Sequence, residues 1–149
     1  MTAPAYLHLP PETAPPPPPV PALVPGPFKA VLVLEAPTAP AWRDQIAAWL
    51  VRSGCLYAMT WGADCEAWHD AIDEAFIAAH PDGLPGDDQL IMTTWHDDEP
   101  LEELDRFAAH DATHPSGELA AALVLHVAQA PREAALLATF RAPCAGVAC

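Results

Sequence analysis

Most of the sequence alternates uninterrupted apolar segments with segments in which apolar residues recur at helical spacing. The first apolar segment, 28–35, is β-branched and aliphatic almost throughout, which is typical of a strand buried on both faces of a sheet. Residues 40–52 then place Trp42, Ile46 and Trp49 at helical spacing, so one side of a helix faces that sheet. Because this alternation continues along the chain, it predicts parallel strands joined by helical crossovers.

The same pattern predicts three further strands and three further helices. Over 119–127 the period alone is ambiguous, since alanines favour a helix there, but the aliphatic residues of 123–127 favour a strand. We therefore expect a small doubly wound α/β domain, with a four-stranded parallel sheet in the order 2-1-3-4 and helices on both faces. The further strands are predicted at 55–61, 89–95 and 123–127. The further helices are predicted at 64–79, at a segment that begins within 98–101 and ends before a loop at 110–117, and at 131–140.

Proline dominates the beginning of the chain. Eleven of the 19 prolines fall within 1–27, including the run 15–19, and proline removes amide donors and fixes φ. We predict a Pro-rich leader over 1–27, an α/β domain over 28–141 and a flexible C-terminal tail over 142–149. The apolar head of the leader, 6–11, favours docking on the domain, and delivery to a partner is the alternative.

The chain is strongly acidic, with 20 acidic against 6 basic residues and a formal net charge of −14. This balance excludes nucleic acid and anionic membrane surfaces as partners, because both are bound through lysine and arginine. No apolar run approaches the ~20 residues that span a bilayer, and a secretion signal is absent, so we expect a cytoplasmic protein. In a reducing compartment, four cysteines without a CxxC pair are expected to be free thiols: Cys55, Cys65, Cys144 and Cys149.

Polar, aromatic and titratable residues gather where the predicted strands end, whereas the strand interiors are apolar. Since the carboxyl ends of parallel strands share one edge of a sheet, and ligands collect there, these residues form the candidate site. The set consists of Glu35, Trp61, Asp64, Cys65, Thr94, Trp95, His96, Asp97 and His126.

Three of these residues are candidates for catalysis. His96 follows a buried strand and precedes three acids, so it can act as a general base or a metal ligand, or simply bond a neighbouring loop. Cys65 lies in the first turn of a predicted helix, where the helix dipole lowers a thiol pKa, but Asp64 and Glu66 raise it again. An inert, partly buried thiol is favoured for Cys65, and Asp64 is expected to be the N-cap of that helix.

A metal site would need ligands from several loops. Glu35, Asp64 and Asp97 are the candidate oxygen ligands for a divalent cation, although no spacing typical of a metal loop supports them. His126 would join His96 if the fourth strand lay beside the third. The sequence therefore assigns neither a metal nor a cofactor.

Aromatic residues suggest a binding surface on the same edge. Trp61 and Trp95 end neighbouring elements, and Thr94 adds a hydroxyl, a combination found both in ligand pockets and in protein interfaces. The chain has no GxGxxG, GxxxxGK[ST] or GxSxG motif, which removes the dinucleotide-binding, P-loop and α/β-hydrolase classes.

Four segments resemble an uncharacterised family of small bacterial α/β proteins, a domain of unknown function. The Trp-Gly-x-Asp-Cys segment and the Thr-Thr-Trp-His segment are the most specific of them. The resemblance implies a bacterial cytoplasmic protein and brings no activity with it. The segments are Tyr6-Leu7-His8-Leu9-Pro10-Pro11, Ser53-Gly54-Cys55-Leu56-Tyr57, Trp61-Gly62-Ala63-Asp64-Cys65 and Met92-Thr93-Thr94-Trp95-His96.

Three functional hypotheses follow. The first is a non-enzymatic interaction module of the immunity or adaptor type, which uses its acidic surface to bind a basic protein. The second is a small metal-assisted hydrolase with His96 as base or ligand, surrounded by Glu35, Asp64, Asp97 and His126. In the third, the apolar leader head and the tryptophans form a homodimer contact.

Overall fold

The computed structural model describes residues 4–12, 24 and 26–140. The C-terminal tail predicted at 142–149, with Cys144 and Cys149, lies outside the described residues, as do most of the leader's prolines. Within the described residues there are five strands and four helices. The strands are β1 (Ala5–Leu9), β2 (Phe28–Leu34), β3 (Cys55–Gly62), β4 (Met92–His96) and β5 (Ala121–Val127), and the helices are α1 (Pro40–Arg52), α2 (Cys65–Ala78), α3 (Leu101–His110) and α4 (Glu133–Thr139).

All five strands run parallel in one sheet, in the order β1-β5-β2-β3-β4. The predicted parallel α/β architecture is confirmed, but the predicted count of four strands and the order 2-1-3-4 are wrong. The first strand of the domain, β2, is central, with β3 on one side and β5 on the other. After β4 the chain crosses back over the sheet, because α3 passes along the second face and delivers β5 to the far side of β2.

Helices cover both faces of the sheet, two on each. Trp68 and Ile46 bring α2 and α1 onto the larger core cluster, which includes the β2 residue Leu32. On the opposite face, Leu104 of α3 and Leu136 of α4 pack against a second cluster. Trp42 and Trp49, which the helical spacing placed toward the sheet, are buried as predicted, and Trp68 and Cys55 are buried as well.

The head of the leader forms the extra strand. Its backbone pairs with β5 from Ala5 opposite Leu123 to Leu9 opposite Val127. Beyond the strand, the carboxylate of Glu12 accepts a hydrogen bond of 2.6 Å from the backbone N–H of Ala39, immediately before α1. This apolar head therefore pairs within its own chain, at one edge of the sheet.

Two local predictions also need correction. Residues 87–89 form a short 3-10 turn, so β4 begins later than predicted, at Met92. His114 lies in the predicted loop 110–117, where a histidine ordinarily faces solvent, but it is buried: its Nε2–H donates to the carbonyl of Leu90 (2.7 Å) and its Nδ1 accepts the backbone N–H of Ser116 (3.0 Å). No helix in the described part of the chain is long and apolar enough to cross a membrane.

The carboxyl group of Asp105 on α3 is nearly buried, and we expect it to make stability depend on pH. Burial raises its pKa to about 6, although the positive charges of His110 and Arg106 act in the opposite direction. A carboxyl whose pKa is raised on folding favours the folded state when protonated, so stability falls as pH rises from about 4 to 6. Asp105→Asn should therefore stabilise the protein at pH 8 by about 1–2 kcal/mol and flatten that dependence.

Urea unfolding at several pH values measures this effect. Asp105 and Glu118 both line one cavity with a volume of about 110 Å³, and Glu118 is exposed, so Glu118→Gln is the matched control. The burial argument fails if the two variants change stability equally between pH 5 and 8.

Candidate functional site at the carboxyl ends of the strands

The connections of neighbouring strands diverge at two points along the carboxyl ends of the sheet, and we call each of these points a crevice. The chain leaves β2 toward α1 on one face and leaves β5 toward α4 on the other, so the connections of these neighbouring strands diverge. The connections after β3 and β4 diverge in the same way. Divergent connections leave open space above parallel strands, and this is where α/β sheets bind ligands.

The predicted site residues are divided between these crevices. Trp61 and His96 lie in register on β3 and β4, and His126 lies in register with Val33 on β2, so all four share one level of the sheet. Three strand spacings of ~4.8 Å separate His126 from His96, about 14 Å in all. The expected pairing of the two histidines is therefore wrong, because β5 lies beside β2 and not beside β4.

The crevice between β5 and β2 holds a continuous hydrogen-bonded network. Glu35, directly after β2, accepts the Nε2–H of the fully buried His126 at 2.6 Å, which leaves Nδ1 to accept the hydroxyl of Tyr6 at 2.7 Å. The hydroxyl oxygen of Tyr6 accepts the backbone N–H of Arg132 (3.1 Å), whose guanidinium donates to Glu35 at 2.7 and 3.2 Å. Three separate segments are thus joined: β1, the end of β2, and the β5–α4 connection.

The charge on Glu35 is stabilised inside this network. Partial burial alone would raise the pKa of its carboxyl, but hydrogen bonds from Arg132 and His126, together with the positive charge of Arg132, outweigh burial and lower that pKa. Glu35 therefore stays ionised to lower pH than an isolated glutamate.

The crevice between β3 and β4 holds the second histidine. His96 donates from Nδ1 to the carboxylate of Glu99 (2.6 Å) and accepts the hydroxyl of Thr94 at Nε2 (2.9 Å). Its ring packs against Phe107 of α3, with 4.8 Å between the ring centres. The indole N–H of Trp61 donates to the backbone carbonyl of Glu99 (2.7 Å), which fixes the same loop. Both ring nitrogens of His96 are therefore engaged by protein groups.

Cys65 is buried at the start of α2. Burial and the negative charge of Asp97 raise the pKa of its thiol, and backbone N–H groups of His96, Gly62 and Glu66 only partly offset them. A raised pKa favours the protonated thiol, which is the less reactive form.

Asp64 does not act as the predicted side-chain cap of α2. Its backbone lies in the left-handed region (φ +55°), and its side chain makes no capping hydrogen bond. The chain reaches this conformation two residues after Gly62 (φ +101°), which lets β3 turn sharply into α2.

The candidate metal ligands do not come together. Within the described ranges, no three or more histidine, cysteine, aspartate or glutamate side chains are grouped to hold a metal ion. Glu35 and His126 lie in one crevice, while His96 lies in the other. The hydrolase hypothesis needs these residues around one point, and the strand order separates them.

The negative charge is concentrated in one part of the fold. Residues 64–111, which run from the end of β3 through α2 and β4 to the end of α3, contain 15 of the 20 acidic residues and one basic residue, Arg106. The rest of the chain has five acidic and five basic residues. We call 64–111 the acidic half, and it carries the entire net charge.

The edge strand β4 lies inside this acidic half and exposes apolar side chains. Trp95 is 45% exposed and its ring contacts His69 of α2 edge to face, with 4.7 Å between ring centres, while Met92 on the opposite face is 38% exposed. Thr93 donates its hydroxyl to the carboxylate of Asp73 (2.8 Å), which ties the strand to α2. An exposed tryptophan within a field of carboxylates is the feature of this edge that points to a binding role.

Comparison with known proteins places the chain in a family. The family model of a domain of unknown function, DUF7684, matches residues 4–143. The chain belongs to this family. The DUF7684 match covers β1 as well as the rest of the sheet, in agreement with the resemblance noted from the sequence. No curated protein and no solved structure matches the chain.

Some residues of the DUF7684 site were missed by the sequence analysis. Tyr6 and Arg132 complete the network around His126, and Glu99 pairs with His96. Glu99 had a signal, because an acid three residues after a strand-end histidine can reach its ring. The other two depend on β1 and β5 being neighbours, which periodicity does not reveal.

Proposed function

We propose that this DUF7684 protein is a non-enzymatic interaction module, of the immunity or adaptor type, that binds a basic protein through its acidic half. One observation carries the proposal: the segment that holds the whole net charge contains an edge strand that exposes Trp95 and Met92. A one-signed field speeds the encounter with a partner of opposite sign, and a partly exposed tryptophan supplies the apolar contact that holds the complex.

The histidines also support a binding role over a catalytic one. His96 and His126 each use both ring nitrogens within the protein, at distances between 2.6 and 2.9 Å. A general base needs a nitrogen within reach of the substrate, so either ring would first have to break a short hydrogen bond. These bonds fix the loops at the ends of the strands instead.

Matched pairs of neutralising substitutions test the position of the binding surface. The pair Asp97→Asn and Asp98→Asn removes two exposed charges directly after β4. The pair Asp44→Asn and Glu133→Gln removes two exposed charges outside the acidic half, so the net charge changes equally. With a labelled oligolysine peptide as the probe, we expect the first pair to weaken binding about 5-fold or more and the control pair less than 2-fold.

Fluorescence anisotropy at two salt concentrations measures these affinities. Binding should weaken as salt rises, since salt screens charges beyond ~10 Å. Equal losses for the two pairs, or an affinity that salt does not change, would contradict the proposal.

A further inference from the structure

We infer that the basic partner binds the outer edge of β4 as an extended strand, with basic and apolar residues in alternation. This inference rests on the proposed function and specifies how the partner is held. The bound segment belongs to a basic protein and adds a sixth strand to the sheet.

The outer edge of β4 has free pairing capacity. In the part of the chain that the structure describes, β4 pairs with β3 alone, so its other side presents unpaired backbone groups. Edge strands are usually protected by proline, by lysine or by a bulge. The strand Met92–His96 contains neither proline nor lysine, and its register with β3 runs without a shift.

The opposite edge is protected, and this contrast favours β4. At that edge β1 lies between Pro4 and Pro10, which lack backbone donors. Its polar side chains are also engaged, because Tyr6 bonds to His126 and His8 donates from Nε2 to the carbonyl of Ala128 (2.7 Å).

Side chains on both faces of β4 offer contacts for alternate residues of an added strand. Trp95, in edge-to-face contact with His69, lies on the side of the sheet covered by α2, and Met92 lies on the side covered by α3. Successive residues of a strand point to opposite faces, so an added strand would place its apolar residues against one of these side chains.

The charge around the edge selects a basic strand. Asp87 and Asp88 precede β4, Asp97 and Asp98 follow it, and all four are exposed. Asp70 adds a further exposed carboxylate beside His69. A lysine or arginine at either end of the added strand would meet these groups, whereas a second copy of this chain would bring another charge of −14 to the same edge.

Backbone methylation tests strand addition directly. The probe is a blocked heptapeptide of alternating lysine and valine, with two analogues that carry N-methyl groups on one edge or on the other. Only the peptide edge that faces β4 needs its N–H groups. We expect one analogue to lose binding by 10-fold or more and the other to keep the parent affinity within about 3-fold. If both analogues bind like the parent, strand addition is wrong.

Side-chain variants provide a second readout. Trp95→Ala should weaken binding of the parent heptapeptide 10-fold or more. Leu84→Ala, which truncates an even more exposed apolar side chain in the loop before β4, should change it less than 2-fold. Equal effects of the two variants would overturn the inference.

The outcomes also separate this inference from the proposed function. If oligolysine binding depends on Asp97 and Asp98 while both methylated analogues bind equally, the acidic surface is correct and strand addition is wrong. If neither oligolysine nor the heptapeptide binds at low salt, both are wrong. A concentration-dependent dimer in light scattering that Trp95→Ala abolishes would assign the edge to a second copy of the chain and overturn the inference.

Discussion

Replacing Gly62 with alanine should destabilise the folded protein by about 3 kcal/mol or more. Gly62 has φ +101°, a conformation that residues with a side chain rarely adopt, and a Cβ atom there would lie 2.2 Å from the carbonyl oxygen of Leu34. The same oxygen accepts the backbone N–H of Ala63 at 2.8 Å, so the two strand ends cannot separate without losing that bond. Urea unfolding followed by tryptophan fluorescence measures the change.

Gly54 supplies the matched control. It also has a positive φ (+94°), but a Cβ atom there would meet nothing within 4 Å. Gly54→Ala should therefore cost only the backbone strain, about 1 kcal/mol. The difference between the two variants in free energy of unfolding measures the cost of placing a Cβ atom at position 62 against the carbonyl oxygen of Leu34. Equal losses of stability would show that the backbone shifts to relieve this contact at no cost.

Periodicity predicted the central part of the fold because burial on both faces leaves a strong signature. The segment that became β2 is apolar at every position except Lys29, and the helices α1 and α2 place large residues such as Trp68 toward the sheet. Parallel direction followed from the crossovers alone. These features depend on local sequence, so one chain was enough to reveal them.

Strand order depends on contacts between distant segments, and the spacing of apolar residues along the chain does not reveal those contacts. The pairing of β5 with β2 and β1 follows from how α3 crosses the sheet, not from the composition of any strand. The short β1, placed between prolines, had the composition of a leader, although Leu7 and Leu9 pack on the core.

For the candidate site, the sequence identified the edge of the sheet but not which residues contact each other there. Glu35 and His126 were both predicted to lie at the carboxyl ends of strands, and their 2.6 Å hydrogen bond shows that they meet. His96 was assigned to the same place, but its strand β4 is separated from β5 by both β2 and β3. The exposure of Trp95 was also hidden, because nothing local shows that β4 is an edge strand.

The hydrogen-bonded network around His126 should contribute strongly to the stability of the folded protein. His126→Ala should cost about 3 kcal/mol, because it removes a fully buried ring and leaves the hydroxyl of Tyr6 without its acceptor. His110→Ala, on the exposed end of α3, is the matched control and should stay within about 0.5 kcal/mol of the wild type.

A double-mutant cycle tests whether the network acts as a unit. Tyr6→Phe alone should cost about 1–2 kcal/mol, since it removes the hydroxyl that Nδ1 of His126 and the backbone of Arg132 both use. In a protein that already carries His126→Ala, the stability lost through Tyr6→Phe should be smaller by about 1 kcal/mol, because the ring that accepts the Tyr6 hydroxyl is already absent. Additive costs would mean that the two residues stabilise the protein independently.

The same network links β1 to the charge of Glu35. A carboxyl whose pKa is lowered on folding contributes stability at neutral pH, and this contribution is lost as pH falls below its ordinary value, near 4.5, toward its folded value. Because His126 connects Glu35 to Tyr6, acid should loosen β1 before the rest of the sheet. Amide hydrogen exchange at pH 3.5 and pH 6 should show faster exchange of Ala5–Leu9 at the lower pH, after correction for intrinsic rates. Glu35→Gln should remove this difference, whereas a uniform loss of protection across the sheet would contradict the link.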